Sequence, residues 1–373
     1  MSVAGLIRFA LYELSSAFTD GPRRFREAEV PGGALRYHGP VPVLRLEGTP
    51  YEMGFAHGRL LRREIRLLAH AYLDRFFRSY AACGEAAVFE RSGRMADYIS
   101  DAHREEIRGL ADGVGMEERD ALLFQTFIDI HKTFACSTLV GRTRAGRTVF
   151  GRTLDFPSMG VAHRYGIVIV RHGEGVRPVA SVAWPGLLGT LSGMNDSGLT
   201  LAVMVVYFVE DRPDGIPYAL LFREILETED GIAGVERRLH AARNTNSNNL
   251  TVATGRGESA VFEIRPSAVE RRDGAFVCST NHFHGAGRRP FTWHPLYLSS
   301  YARFARLAAV HRDLGETVTR AEVLRAVRAV APPLGNLQAM LFHPEARSME
   351  VAMGRVPAAR GRFARLSAGE LFG

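Results

Sequence analysis

The sequence predicts an α+β protein in which β-sheets are stacked between layers of helices. Segments before about residue 134 carry mostly helical periodicity, whereas those after Cys136 are β-rich and punctuated by glycine. Helical blocks at 215–244 and 299–333 interrupt these later strands. Strands grouped with helical blocks are typical of layered folds, because each sheet face needs a covering layer.

The first clear elements are a strand over 41–48, VPVLRLEG, and a helix that follows it. Thr49 and Pro50 open this helix, because a capping residue followed by Pro is typical of a first helical turn. An apolar stripe with spacings of three and four then continues through Leu61, Ile65, Leu68, Tyr72 and Phe76.

Two further helices are predicted before Cys136. One includes 107–111 and is expected to end at Gly113 and Gly115, and the other covers 122–130. The N-terminal region shows only a turn-prone PGG at 31–33.

The strands predicted after residue 135 are short and separated by turn residues. They are CSTLVGRT, GRTVFGRTLD, YGIVIVRHG, VASVAWPG, GLTLAVMVVYF, NNLTVATG, SAVFEIRP, AVERRDG, AFVCSTNHF and a final pair within AMLFHPEARSMEVAMG.

Composition indicates an ordinary globular protein: 373 residues, 46% hydrophobic and 23% charged, enough for a sizeable core. The formal net charge is +7, and Lys132 is the only lysine among 47 basic residues. The arginines are dispersed, and no zinc-finger or RNA-binding signature accompanies them. We therefore expect solvated arginine faces rather than a nucleic-acid interface, and a preference for anionic substrates stays open.

The three cysteines, Cys83, Cys136 and Cys278, form no CxxC motif, and their odd number argues against a disulfide framework. Arg8 and Glu13 interrupt the mildly apolar first 20 residues, so no signal peptide is expected. No uncharged apolar run reaches the length of about 18 residues that a membrane span needs. These features predict a cytoplasmic protein without a membrane span.

Several common catalytic motifs are missing from the sequence. GTLSG at 189–193 has the wrong spacing for a nucleophile elbow, and no P-loop, dinucleotide-binding glycine motif or H-E-x-x-H occurs. His282 and His284 lie two residues apart, which on a strand would place both on one face. A metal-dependent hydrolase that uses this pair is an alternative hypothesis, although two histidines alone make a weak metal site.

Cys136 begins a β run, and a second run ends at Arg152 and Asp155, 16 and 19 residues later. A hairpin of this length folds back, so its far end can flank the cysteine sulfur. An arginine beside a thiol lowers its pKa and favours the thiolate nucleophile. The alternatives are a structural buried cysteine and an Arg–Asp ion pair that closes the hairpin.

This segment resembles the N-terminal nucleophile hydrolases of the choloylglycine hydrolase, acid ceramidase and penicillin acyltransferase group. In that group a cysteine opens the catalytic chain, and Arg and Asp follow in a G-R-N-x-D-like motif. Here the motif is GRTLD, with Thr153 where Asn is common. The resemblance implies a four-layer α-β-β-α fold and a cysteine that is exposed by self-cleavage.

Other segments carry the same resemblance, which extends from about residue 41 to the C-terminus. CSTNHF implies that Asn281 is the oxyanion-hole side chain, and SSYARFAR implies that Arg303 is a later active-site arginine. GMNDSGLTLAV resembles the family's turn and strand. GTPYEMGFAHG and REEIRGLADGVG resemble the acyl-CoA:6-aminopenicillanic acid acyltransferase branch, peptidase family C45.

One position departs from the bile-salt hydrolases, which place a second Asn in the strand after the G-M-N turn. Val205 is near that place here, so choloylglycine hydrolase activity is not expected. Asn195, within the turn, is expected to have a turn role. Asn281 as a simple turn cap is the structural alternative to its oxyanion role.

The resemblance implies that Cys136 cuts the Ala135–Cys136 bond. The products would be a mainly helical α chain, 1–135, that stays associated, and a catalytic β chain, 136–373. The new α-amino group, with a pKa near 7.7–8.0, can act as the general base, so no catalytic histidine is required.

In this mechanism the Cys136 thiolate attacks an amide or thioester carbonyl. Asp155 would orient the amine, Arg152 would polarise the site, and Arg303 would hold these groups or meet a substrate carboxylate. The expected partners are an acyl amide or acyl-CoA substrate and the two chains of one precursor, without cofactor, metal or nucleic acid. Hydrolysis and acyl transfer stay open, as does an unprocessed relative that binds acylated ligands without turnover.

Overall fold

Two β-sheets packed face to face form the centre of the protein in the computed structural model. The structure describes residues 3–18, 21–76, 85–132, 135–208, 210–285, 295–315 and 317–373. Within these residues, the larger sheet has ten strands and the smaller sheet has six.

The helices and strands are numbered here in chain order. The helices are α1 (Val3–Phe18), α2 (Pro50–Leu60), α3 (Arg62–Ala69), α4 (Glu85–Ala96), α5 (Asp101–Val114), α6 (Glu118–Ile130), α7 (Tyr218–Thr228), α8 (Ile232–Ala241), α9 (Pro295–Leu314), α10 (Arg320–Val330) and α11 (Ala368–Phe372). The strands are β1 (Ala28–Val30), β2 (Gly33–His38), β3 (Val41–Gly48), β4 (Ser137–Arg142), β5 (Thr148–Asp155), β6 (Ile167–Gly173), β7 (Val179–Ala183), β8 (Ser192–Asn195), β9 (Thr200–Val205), β10 (Asn248–Ala253), β11 (Ser259–Arg265), β12 (Ala268–Asp273), β13 (Val277–Ser279), β14 (Asn336–His343), β15 (Ser348–Met353) and β16 (Ala364–Leu366).

The larger sheet has the order β1-β2-β3-β6-β7-β8-β9-β10-β11-β12. Its strands pair antiparallel except β3 and β6, which run parallel with Val43 opposite Val168. Residues before Cys136 therefore supply three strands of this sheet. The expectation that this part of the chain is mainly helical missed β1 and β2, because these short strands carry little apolar periodicity.

The smaller sheet has the order β13-β4-β5-β14-β15-β16. Its side chains alternate between two apolar clusters, as a strand period of two requires. Val140 and Phe150 join the cluster shared with the larger sheet. Leu139 and Val149 instead pack with Val323 and other residues of α9 and α10.

Helices cover the outer face of each sheet. Helices α2, α7 and α8 contact the larger sheet, while α9 and α10 contact the smaller one. This arrangement confirms the predicted four-layer α-β-β-α fold. Of the polar residues described below, Arg152 lies between the two sheets, where it reaches Ser192 of β8, and Arg303 lies on α9.

Helix α2 begins as predicted, with a capping box between Thr49 and Glu52. It packs closely on α5 through glycines of both helices: a methyl group at Gly109 would collide with the Tyr51 carbonyl oxygen. Gly113 belongs to this contact and does not end α5. The helix ends at Gly115, whose φ of 67° is the left-handed conformation of a glycine C-cap.

The predicted apolar stripe runs through α3 and a π-helical segment, His70–Phe76. Leu61, Ile65, Leu68 and Tyr72 are buried as expected, and the Phe76 side chain lies outside the described residues. In the described parts of the chain, no helix combines the length and apolar character needed to cross a membrane.

Candidate active site

The predicted hairpin around Cys136 is present. Strands β4 and β5 pair antiparallel, with Ser137 opposite Thr153 and Thr138 opposite Arg152. The Ala135 backbone N–H donates a hydrogen bond of 3.0 Å to the Asp155 carbonyl oxygen. The hairpin thus brings the end of β5 beside the Ala135–Cys136 bond.

Cys136 is 1% exposed, and its main-chain atoms are held on both sides. Its N–H donates to Asn281 Oδ1 at 2.8 Å, and its carbonyl oxygen accepts from Arg303 Nη1 at 2.5 Å. Burial raises the pKa of the Cys136 thiol, and the nearby Arg152 only partly offsets this. Arg152 thus lowers the pKa of the thiol as expected, but desolvation is the larger effect, so the pKa of Cys136 in the uncut chain is raised overall.

Asn281 lies just after β13 and connects both sheets. Its Nδ2 donates to the Val205 carbonyl at 2.8 Å, and its backbone N–H donates to Ser300 Oγ at 2.8 Å. Its Oδ1 accepts from both Cys136 and Arg303, so the donors around it define the orientation of the amide. One Nδ2 hydrogen has no partner within the described structure.

Arg303 lies on α9, is 4% exposed and binds several acceptors of the site at once. Besides the Cys136 carbonyl, its guanidinium donates to Ser137 Oγ at 2.7 Å and to Asn281 Oδ1 at 2.9 Å. Its Nε donates to Ser299 Oγ at 3.2 Å. Its contacts favour the first of its two predicted roles, that of holding the site together.

Arg152 is 1% exposed and lies between the sheets, where its Nε donates to Ser192 Oγ at 3.1 Å. Its Nη1 and Nη2 are buried and have no hydrogen-bond partner among the described residues. An unpaired buried guanidinium is costly, so these nitrogens are available to an oxygen of a bound molecule.

Asp155 is 2% exposed and accepts hydrogen bonds from Asn336 Nδ2 at 2.8 Å and from Thr153 Oγ1 at 3.2 Å. Burial raises its pKa to about 7, although Arg303 and these donors oppose the shift. Thr153, the departure from the family's usual Asn, therefore has a physical role as a donor to Asp155.

Two asparagines that the sequence reasoning missed support these residues. Asn249, on β10, donates through Nδ2 to the carbonyl oxygens of Thr280 and His282 at 2.9 and 2.7 Å. Both carbonyls flank Asn281, so Asn249 fixes the backbone of that residue. Asn336, on β14, holds Asp155. For Asn249, the asparagine-rich run NTNSNN at 244–249 was the sequence signal that could have identified it.

The two histidines, His282 and His284, pack against aromatic side chains of α9. Strand β13 ends at Ser279, so His282 and His284 do not lie on a strand as predicted. His282 is 6% exposed, contacts Ser300 Oγ at 2.8 Å and lies 4.0 Å, between ring centres, from Tyr301. Burial lowers the pKa of His282 to about 4. Within the described residues, no group of three or more His, Cys, Asp or Glu side chains could hold a metal ion.

One further expectation is confirmed, that for Asn195. Asn195 holds its own turn, because its Oδ1 accepts from the N–H groups of Ser197 and Leu199 at 3.1 and 3.0 Å. Cys278 packs in the apolar cluster beneath α9 and α10. Cys136 and Cys278 are free thiols, and Cys83 lies outside the described residues.

Comparison with known proteins gives sequence relatives and structural neighbours. Protein dcd1A of Dictyostelium discoideum is 27% identical over 56% of this chain and 54% of its own. The chain spans about half the length of the curated relatives it matches.

Two solved structures are similar to this chain in fold. A mutant of conjugated bile acid hydrolase from Clostridium perfringens has 13% identity and a TM-score of 0.46, over 63% of this chain and 93% of that one. Penicillin V acylase from Agrobacterium tumefaciens has 14% identity and a TM-score of 0.44, over 63% and 88%.

A sequence model of one family matches residues 142–330, just over half of the chain. The match covers most of the hairpin, the region of Asn281 and helix α9 with Arg303. The chain belongs to the acyl-coenzyme A:6-aminopenicillanic acid acyl-transferase family.

Proposed function

We propose that this protein is a self-cleaving cysteine N-terminal nucleophile enzyme, of the C45 type, that transfers or hydrolyses acyl groups through Cys136. One observation carries the proposal: hydrogen bonds hold the main chain on both sides of the peptide bond before Cys136. Asn281 and Arg303 bind the N–H and carbonyl of Cys136, and the Asp155 carbonyl binds the N–H of Ala135.

Cleavage begins with attack of the Cys136 sulfur on the Ala135 carbonyl carbon. A thioester C–S bond forms, the Ala135–Cys136 C–N bond breaks, and the thiol proton passes to the nitrogen. Water then hydrolyses the thioester, which frees the Ala135 carboxylate and the thiol. The products are chains 1–135 and 136–373.

The new α-amino group of Cys136 is the general base of the acyl-transfer reaction. An α-amine has a pKa near 7.7–8.0, so part of it is neutral at pH 7. Asn281 Oδ1, which accepts the Cys136 N–H in the uncut chain, accepts a hydrogen of this amine after cleavage. This contact directs the nitrogen lone pair towards its own sulfur, and Asp155 supports the same orientation.

Two residues, Arg152 and Asn281, can donate hydrogen bonds to oxygen atoms of the substrate. The free Nη1 and Nη2 of Arg152 suit a carbonyl or carboxylate oxygen of the substrate. The second Nδ2 hydrogen of Asn281 suits the oxyanion of the tetrahedral intermediate, and one such donor typically contributes about 2.7–4 kcal/mol to transition-state binding.

The substrates are small acyl amides or acyl thioesters, and the family description names one acyl thioester, acyl-coenzyme A. The acyl-enzyme is resolved by water or by an amine. No cofactor or metal takes part, because the amine, the sulfur and the two donors supply each step. The free thiols Cys136 and Cys278 favour a reducing compartment, the cytoplasm.

The proposal is tested by trapping the acyl-enzyme. With p-nitrophenyl hexanoate, the chain that begins at Cys136 should gain the mass of one hexanoyl group, measured by mass spectrometry in acid. Cys136→Ala should remain one chain and gain no mass. Cys278→Ala, which removes a thiol outside the site, should be cut and acylated like the wild type. Acylation of Cys136→Ala at the wild-type level would disprove the nucleophile assignment.

A further inference from the structure

Helix α1 presents large apolar side chains to the outside of the protein. Leu11, Leu14 and Phe18 are 60%, 47% and 85% exposed. Their spacings of three and four residues place them on one face of the helix. A surface helix of a globular protein normally turns such a face towards the core. In α1 the apolar face is instead left without a covering layer among the described residues.

The opposite face of α1 is polar and is turned towards the protein. Glu13 and Ser16 on this face are 8% and 1% exposed. The Glu13 carboxylate accepts hydrogen bonds from the backbone N–H groups of Ser158 and Met159 at 3.0 and 2.9 Å. Rotation of α1 to bury its leucines would remove the acceptor from both N–H groups, which is costly. The docking of α1 on the protein therefore keeps the apolar face outside.

Exposed arginines follow α1 in the chain. Phe18 and Gly21 are three residues apart, so the chain between them spans at most about 11 Å. Arg23, Arg24 and Arg26 come next, and all three are exposed. In the parts of the chain that the structure describes, none of them has an ion-pair partner. Positive charge thus lies close to the end of the apolar face.

Two further arginines border the same segment. The half-buried Arg164 donates through Nε to the Gly21 carbonyl oxygen at 3.3 Å. Gly354 packs against Pro22, which brings the exposed Arg355 to this side of the protein. We call these five residues the basic patch: Arg23, Arg24, Arg26, Arg164 and Arg355.

Carboxylates offset little of this charge. Among residues 21–30, which the structure describes, Glu27 and Glu29 are the two acidic residues. Glu29 pairs with Arg36 at 2.7 Å, and Glu27 accepts a hydrogen bond from the Tyr37 backbone N–H at 3.0 Å. The basic patch therefore carries an excess of positive charge that attracts an anionic partner.

We propose that α1 and the basic patch bind the surface of a membrane that contains anionic lipids. Leu11, Leu14 and Phe18 would enter the boundary between headgroups and acyl chains, and the basic patch would contact the anionic headgroups. An apolar helix face beside basic residues is typical of helices that lie in the membrane interface. A second copy of this chain on the same face would bring two basic patches together, and like charges oppose this.

The experiment measures co-sedimentation of the purified protein with vesicles. One set is phosphatidylcholine alone, and the other contains about 30% phosphatidylserine, which gives it an anionic surface. Wild type should bind the anionic vesicles about tenfold or more tightly than the neutral ones. The difference should shrink as NaCl is added, because salt screens the charges of the basic patch.

The apolar face is tested with Leu11→Gln/Leu14→Gln. Glutamine has nearly the helix propensity of leucine, and both positions are exposed, so α1 should keep its structure. Binding to both kinds of vesicle should weaken about tenfold or more, because two leucine side chains no longer leave water. Val176→Gln is the control: Val176 is 38% exposed and follows β6, whereas residues 158–164 precede that strand. It should bind like the wild type.

The basic patch is tested with Arg23→Gln/Arg26→Gln. Affinity for the anionic vesicles should fall about tenfold, and affinity for the neutral vesicles should stay the same. Arg144→Gln/Arg147→Gln is the matched control, because it removes the same net charge from exposed positions between β4 and β5. That turn lies at the other end of β5 from Asp155 and from residues 158–164. The control should bind both vesicles like the wild type.

Four outcomes would overturn the inference. The first is a wild type that sediments with neither kind of vesicle, and the second is unchanged binding by Leu11→Gln/Leu14→Gln. The third is an equal loss of binding in the two arginine variants, because net charge alone would then explain it. The fourth is a wild type that is dimeric in analytical ultracentrifugation without vesicles while the leucine variant is monomeric, because a second copy would then cover the apolar face. None of these outcomes bears on cleavage at Cys136.

Discussion

At the residue scale, hydrogen bonds of the site hold the main chain on both sides of the Ala135–Cys136 bond. Asn281 accepts a hydrogen bond from the N–H of Cys136, and Arg303 donates one to its carbonyl oxygen. The thiol itself is buried and neutral. Arg152 retains two free nitrogens. Under the proposed function, the uncut chain would hold its own cleavage site much as an enzyme holds a substrate, with the same residues serving acyl transfer afterwards.

Asp155 gives a prediction about pH, because burial raises its pKa to about 7 while an unfolded Asp titrates near 3.9. Between about pH 4 and 7 the folded chain keeps a proton that the unfolded chain releases. The stability from this group is complete below about pH 4 and is lost as the pH rises towards 7, by roughly 1.4 kcal/mol per pH unit.

The measurement compares Cys136→Ala with Cys136→Ala/Asp155→Asn, so that both chains remain uncut. The free energy of unfolding in urea should favour the Asp-containing chain less and less between pH 4 and 7. Other titrating groups are common to both chains and cancel. A difference that stays constant over this range would contradict the assigned protonation of Asp155.

The sequence predicted the residues of the site whose positions depend on local geometry. Arg152 and Asp155 lie beside Cys136 because a hairpin fixes its own register. Asn249 and Asn336 were missed because their contacts depend on which strands neighbour each other or face across the sheets. The strand predicted through Asn281 ends early for the same reason. The side chain of Asn249 donates hydrogen bonds to the carbonyl oxygens of Thr280 and His282, so these do not accept from a neighbouring strand.

At the element scale, the closest helix contact is between α2 and α5. It is possible because glycines of both helices let the two backbones meet, as at Gly109 and Tyr51. Helix α5 also carries Glu106, which is fully buried against Arg171 and Arg223 of the later part of the chain. The position of α5 therefore determines how residues before Cys136 attach to those after it.

Gly109→Ala tests this contact. The added methyl group would meet the Tyr51 carbonyl, so we expect a loss of stability of about 1–3 kcal/mol or more from overpacking. Gly93→Ala is the matched control, because Gly93 lies in α4 with no atom within 4 Å of the new methyl group. It should stabilise the protein by up to about 1 kcal/mol through helix propensity. Equal effects on the urea midpoint would refute the close packing of α2 on α5.

At the scale of the whole molecule, the segments 1–135 and 136–373 form one structure. Strand β3 pairs with β6 in the middle of the larger sheet, and Glu106 pairs with two buried arginines across the proposed cut. Removing one partner of such a buried ion pair typically costs about 3–5 kcal/mol. Cleavage should therefore leave the two chains associated without a covalent link.

The sequence predicted the layers of the fold more fully than its connections. Alternating strand and helix blocks indicated sheets stacked between helical layers, and the resemblance to the family implied that there are four layers in the order α-β-β-α. The parallel pairing of β3 with β6 was missed, because it joins residues about 125 positions apart and has no local signal.

The central claim, cleavage at Ala135–Cys136, is tested most directly by mass spectrometry of the purified wild-type protein under native and denaturing conditions. Native conditions should show both chains in one particle, with a mass of about 41.1 kDa or a whole multiple of it. Denaturing conditions should show two chains, which by length are roughly 15 and 26 kDa, and the larger should begin with Cys136. Cys136→Ala should give a single chain in both conditions. A wild-type protein that remains one 41.1 kDa chain when denatured, or whose larger chain begins at another residue, would contradict the claim.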